Sequence, residues 1–243
     1  MLKAHNLGRR FGDTWALQAL DLEVAPGEIQ CLLGANGAGK TTTINLFLGF
    51  LEPSCGAAFV NGTEVARHPR AARAHLAYVP EQVSLYPTLT GLENLVYFTR
   101  LAGKAGRDTA QLEALLDQVE LARGAARLRV ERYSKGMRQK VGLAIALAKD
   151  ARALLLDEPL SGLDPQAANE FCALLLKLAG TGVAVLMATH DLFRAQETAS
   201  RIGIMRGGRL LENLVAADVS SAQLERIYLD HMRRSPAATG SDA

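Results

Sequence analysis

The order of apolar and polar positions switches between the two-residue period of a strand and the 3.6-residue period of a helix. Leu20-Asp21-Leu22-Glu23-Val24 alternates as a half-buried strand does, and Ala25-Pro26-Gly27-Glu28 turns it back. Residues 29–33 are short and mostly apolar, which predicts a strand covered on both faces. A glycine-rich turn follows, then a helix from about Lys40 to Phe50. Residues 57–60 read as a hairpin strand between Cys55-Gly56 and Asn61-Gly62.

The middle of the chain is helical. Thr90-Gly91-Leu92-Glu93 has the capping-box pattern, with Leu92, Leu95 and Val96 following at helical spacing. Asp108 opens another helix with Leu112, Leu115, Leu116 and Val119 as its apolar stripe. Residues 153–156 then form a buried strand, and Asp164-Pro165 is a cap followed by proline at the first helical position. Phe171, Leu174, Leu175 and Leu178 give that helix its buried face, and residues 183–188 are again a strand without polar alternation. Residues 202–205 and 209–211 flank Gly207-Gly208 as a hairpin. The pattern predicts an α/β fold with a mainly parallel sheet, an N-terminal antiparallel β subdomain and a helical subdomain inserted over about 90–149. The main domain spans 1–211, a C-terminal segment over 212–234 carries a last helix from 222, and the small-residue tail 235–243 is expected to be disordered.

Composition narrows the setting. The 243 residues are 49% hydrophobic and 21% charged, ordinary for a globular chain. A formal net charge of +2 gives no argument for nucleic acid as a partner. Cys31, Cys55 and Cys172 lie far apart without metal-ligand spacing, which suits a reducing cytosol. The first residues do not form a signal peptide, and runs such as 141–148 fall far short of the ~20 residues of a spanning helix. A transport role would therefore need a separate membrane partner.

Gly34-Ala35-Asn36-Gly37-Ala38-Gly39-Lys40-Thr41 matches the phosphate-binding pattern G-x-x-x-x-G-K-[ST]. The glycines let consecutive N–H groups converge on one anion, and the helix after Lys40 adds its N-terminal N–H groups and dipole. Average glycine usage makes a chance match on the order of 1% per chain of this length, lower still with a strand before and a helix after. This is the mark of a P-loop NTPase (nucleoside triphosphatase) core. Lys40 is expected at the β- and γ-phosphates of ATP, beside Thr42, with the Thr41 hydroxyl on Mg²⁺. The strand over 153–156 ends in Asp157-Glu158, and paired acids at the end of a buried strand are costly without work to do. Asp157 fits as the residue holding Mg²⁺, and Glu158 as the base that polarises the attacking water.

Taken together the residues resemble the ABC-transporter ATPases, from Leu2 to about Leu211. Tyr133-Ser134-Lys135-Gly136-Met137 is similar to that family's LSGGQ signature, keeping the serine and the second glycine. Ser134 offers a hydroxyl, Gly136 an open N–H, and the following helix its positive end, a second anion site on one chain. Ser161-Gly162-Leu163-Asp164 resembles the D-loop, and Thr189-His190-Asp191 the switch histidine. Phe11 stands where the adenine-stacking aromatic is found, keeping the π-face. One departure is the Q-loop: after Tyr78-Val79-Pro80 comes Glu81, then Gln82. Either Glu81 fills the glutamine's place or Gln82 does after a small shift; Gln82 is taken as the candidate ligand of nucleotide and Mg²⁺. The resemblance implies an ATPase that pairs with a second copy around two ATP, at the cytoplasmic face of a membrane, and drives export through separate permease subunits. The stretch 83–94 would touch the permease. A P-loop kinase of small molecules would explain the cradle but leave Ser134 and His190 without work.

Overall fold

The computed structural model of the protein describes residues 1–233. Two sheets organise it. The first is antiparallel, in the order β2-β1-β4-β5, from β1 (Leu2–Phe11), β2 (Thr14–Val24), β4 (Cys55–Val60) and β5 (Thr63–Glu64). The second has the order β10-β9-β3-β8-β7-β6, from β3 (Ile29–Leu33), β6 (Leu76–Val79), β7 (Ala153–Asp157), β8 (Ala184–Thr189), β9 (Arg201–Arg206) and β10 (Arg209–Val215). All its pairings are parallel except β9 with β10.

The apolar character of the central strands follows from burial on both faces. Leu154 and Leu156 of β7, with Val185 and Met187 of β8, enter the core under the helices. The alternate residues Ala153, Leu155, Ala184 and Leu186 enter a second core, shared with the antiparallel sheet. Helix α1 (Lys40–Leu48) lies in that second core, with Phe47 fully buried, and stops at Gly49, whose φ of 65° closes its C-terminus. The remaining helices are α2 (Pro69–Ala74), α3 (Gly91–Leu101), α4 (Thr109–Gln118), α5 (Arg123–Ala126), α6 (Lys135–Ala148), α7 (Pro165–Gly180), α8 (Leu192–Thr198) and α9 (Ser221–Arg233). Both capping boxes are complete: the Thr90 and Asp108 side chains accept from Glu93 and Gln111 N–H, and those side chains accept from the cap N–H groups. Asp164 caps α7, with Pro165 at its first position.

Two strands depart from the sequence expectation. The antiparallel sheet begins at Leu2 rather than near Leu20, and β1 and β2 change register between Ala4 and Leu7 and again between Leu7 and Arg10. Asn6 and Ala19 take positive φ there, so a strict two-residue period is broken and the alternation is hidden. Likewise β10 runs on to Val215, so a boundary at 211 would cut a strand; a register shift between Leu210 and Glu212 masks its continuation. Residues 216–218 form a 3₁₀ turn before α9, so only the latter part of 212–234 is helical. The expected tail at 235–243 lies outside the described residues. Among the described residues no helix is long and apolar enough to cross a membrane.

Phe47→Ala should destabilise the protein by about 3–5 kcal/mol in urea unfolding, because the sheets on either side of α1 limit collapse of the void. Thr90→Ala should cost only about 1 kcal/mol, the loss of one cap at a partly exposed helix end.

Candidate functional site

The C-terminal ends of β3, β7 and β8 lie side by side, and the loops leaving them build one cradle. Its wall consists of residues 35–42 of the glycine-rich loop with Ala16, Glu81, Asp157 and Glu158. The loop's shape depends on close backbone approach. A Cβ on Gly34 would lie 2.4 Å from the Met205 carbonyl oxygen, and one on Gly39, at φ 106°, 2.8 Å from the Ala16 carbonyl oxygen. The loop is thus wedged between the β1–β2 and β9–β10 hairpins, and Gly208 N–H donates to Ala38 O at 3.1 Å. Ala16 and Gly208 carry no chemical signal in the sequence; only the packing reveals their part.

Gly39 is the N-cap of α1 and provides no side-chain acceptor, so the helix's first N–H groups face the cradle uncapped by a side chain. Lys40 is buried, and its Nζ donates to Gly34 O at 2.6 Å and Ala35 O at 3.3 Å. The same ammonium lies 3.4 Å from Glu158 Oε1. The other carboxylate oxygen of Glu158 meets His190 Nδ1 at 2.8 Å. Lysine, glutamate and histidine therefore form one continuous chain from the loop to the end of β8.

Backbone strain holds the centre of that chain. Glu158 sits at φ 47°, a left-handed conformation uncommon for a side-chain-bearing residue. Its N–H donates to Ala188 O at 2.9 Å and its C=O accepts from Ser161 N–H at 3.1 Å, so neighbouring strand and loop impose the conformation. His190 is fixed through its neighbours, since Asp191 N–H donates to Thr189 Oγ1 at 3.1 Å and the Asp191 carboxylate caps α8.

Thr41 Oγ1 donates to Asp157 Oδ1 at 3.3 Å. Burial is the main force pushing the Asp157 carboxyl above its usual range, opposed by the Thr41 hydrogen bond and reinforced by the nearby Glu158 and Glu81 charges. A hydroxyl and a buried carboxylate, both hard oxygen donors, are the set a magnesium ion takes, and a divalent charge would offset this crowding of acids. The residues present fit that ion.

The remaining candidates are distributed unevenly. Of the two Q-loop alternatives, Glu81 lines the cradle, whereas Gln82 lies in a neighbouring hollow with Ser84, Leu85 and Arg138. The strand β6 ends at Val79, and the pair follows Pro80 in the loop beyond it. Phe11 is exposed at the tip of the β1–β2 hairpin, outside the cradle wall, with the Arg9 guanidinium 4.7 Å from its ring centroid. Ser134 caps α6, its Oγ accepting from Met137 N–H at 3.2 Å, and Gly136 packs against Ala167 of α7. Lys40, Thr41, Asp157, Glu158 and His190 are brought together; Ser134 and Gly136 stand apart from them on the helical side.

Two buried amides were not anticipated. Gln139 of α6 donates from Nε2 to Pro80 O at 3.2 Å and Glu81 O at 3.0 Å. Asn94 of α3 accepts from Tyr86 N–H at 2.8 Å and donates to Tyr86 O and Thr90 O, tying down the loop before its own helix. That loop presents Tyr86, which meets Tyr97 edge-on, both exposed.

Residues 17–161, more than half of the chain, match the family model described as ABC transporter. A daunorubicin resistance ATP-binding protein of Streptomyces coeruleorubidus is 36% identical over 214 residues, 88% of this chain and 67% of its own. The Nod factor export ATP-binding protein I of Paraburkholderia xenovorans is 35% identical over 223 residues, 89% of this chain and 73% of its own. Among solved structures, an ATP-binding subunit of an ABC transporter aligns with a TM-score of 0.81 at 30% identity, over 96% of this chain and all of that one. A dimeric ATP-binding cassette in a post-hydrolysis state with ADP and Pi bound aligns with a TM-score of 0.75 at 25% identity, over 89% of this chain and 99% of that one. With cradle, paired acids and histidine arranged as described, the chain belongs to the ABC transporter family, as one of its ATP-binding proteins.

Proposed function

We propose that the chain hydrolyses ATP as one half of a two-fold dimer and powers export through separate membrane subunits. The observation that carries this reading is the unbroken contact chain Lys40–Glu158–His190 along the rim of an anion cradle. A triphosphate entering the cradle offers Lys40 stronger acceptors than the Gly34 and Ala35 carbonyls and draws the ammonium from Glu158. Glu158 is then free to accept a proton from a water aligned behind the γ-phosphate, and His190 holds the carboxylate in place from its other oxygen. Magnesium would be held by Thr41 and Asp157, with Glu81 beside them. The chemistry it would supply there is neutralisation of phosphate charge.

The start of α6 supports the second half of the reading. Ser134 and Gly136 open a helix whose positive end lies outside the cradle lining, which suits it to a second anion site on the same chain. Two copies related by a two-fold axis would bring each α6 start over the γ-phosphate held by the other. The closed pair would be favoured only while that phosphate is present, so hydrolysis loosens it. A homodimer, held to the cytoplasmic face of a membrane by its permease subunits, is the simplest such assembly. The names of the relatives, which speak of drug resistance and Nod factor export, support the outward direction. The exposed pair of Tyr86, on the loop pinned by Asn94, and Tyr97, on α3, is the surface for the permease.

Glu158→Gln should lower turnover by about 100-fold or more, the scale of a general base, while ATP binding persists and a dimer accumulates on size-exclusion chromatography. Hydrolysis at the wild-type rate by that variant would refute the role. Lys40→Ala should abolish binding of a fluorescent ATP analogue, since it removes the cation that meets the phosphates and leaves the Glu158 carboxylate facing them without it. Tyr86→Ala with Tyr97→Ala should leave ATPase activity intact and release the chain from its membrane subunits; unchanged co-purification would move the docking surface elsewhere.

A further inference from the structure

Glu81 places a third carboxylate in the cradle, beside Asp157 and Glu158. Three acids facing one anionic substrate are an electrostatic cost unless one of them is held and neutralised. Three side chains from two segments converge on Glu81. Lys135, the first residue of α6, has its Nζ 3.8 Å from Glu81 Oε1. The same oxygen accepts from Ser161 Oγ at 2.9 Å, from the loop after β7. One helical turn beyond Lys135, the buried Gln139 side chain holds the Pro80 and Glu81 carbonyls. Helix α6 therefore grips both the backbone of Glu81 and its carboxylate. Lys135 reaches it over Gly162, where even a Cβ would lie 3.7 Å from the ammonium.

We infer that Lys135 is a positioning residue for the ATPase site, acting through Glu81: it masks the third carboxylate and sets how strongly the cradle attracts a divalent cation. The pair is too open to matter for folding, with Lys135 30% and Glu81 50% exposed at the side chain, so its work is in the site rather than in stability. The inference rests on the reading of Thr41 and Asp157 as the metal corner.

Mn²⁺ binding to the ADP-loaded chain, read from the electron paramagnetic resonance signal of free Mn²⁺, tests it without turnover. Lys135→Ala should tighten Mn²⁺ by about threefold, the scale of one partly exposed charge contact, because Glu81 becomes unmasked. Lys135→Arg should behave as wild type. In a Glu81→Gln background, Lys135→Ala should produce no shift. An unchanged affinity in Lys135→Ala, or the same shift with glutamine at 81, would overturn the positioning role alone. A wild-type chain that takes up no Mn²⁺ with ADP would overturn the metal corner and the inference together.

Discussion

The burial of a single cation organises this molecule. Lys40 is almost wholly covered, and an ammonium can be held there only because two backbone carbonyls and one carboxylate converge on it. Those carbonyls belong to a loop whose glycines allow it to pass within van der Waals contact of two hairpins. The carboxylate belongs to a residue held in a strained conformation by the adjoining strand. Each support comes from a different part of the fold: the antiparallel sheet, the edge hairpin of the parallel sheet and its central strand. Loss of any of them would leave a charge buried without compensation, so the site and the architecture are one construction.

That arrangement explains why so much of the polar chemistry sits at one edge. In a parallel sheet every strand points the same way, so the ends of β3, β7 and β8 deliver loop, acids and histidine to a common line. The acids are crowded enough that burial and their mutual repulsion raise Asp157. A site with excess negative charge and convergent N–H groups is suited to a ligand that brings both: an anion to the helix end and a cation to the carboxylates. Magnesium nucleotide has that double character.

The hydrophobic pattern revealed the central strands and the capped helices because burial on two faces and capping boxes are local signals. It did not reveal β1 or the end of β10, where bulges and positive-φ residues shift the alternation by one position and mix the faces. The same limit applies to the site. Lys40, Thr41, Asp157, Glu158 and His190 announce themselves by type and spacing: the first two close the glycine-rich loop, and the others end or directly follow strands that can be read. Whether Glu81 or Gln82 faces the cradle depends on a turn after Pro80 that spacing alone leaves open; in the structure Glu81 lines it and Gln82 lines the neighbouring hollow. Gln139 and Asn94 are silent in the sequence because an amide on a helix face is ordinarily solvated. Their importance lies in the loop carbonyls they reach.

These two amides also suggest how distant parts of the chain share a conformation. Gln139 fastens the loop after β6 to α6, and Asn94 fastens the loop before α3 to α3. The stretch between them, residues 80–94, is therefore clamped at one end beside the cradle and at the other beneath exposed tyrosines. Gln139 joins the backbone at Glu81 to α6, and Asn94 joins the backbone at Tyr86 to α3. Both ends of this short segment are thus held by the helical layer, by α6 beside the cradle and by α3 beneath the tyrosines.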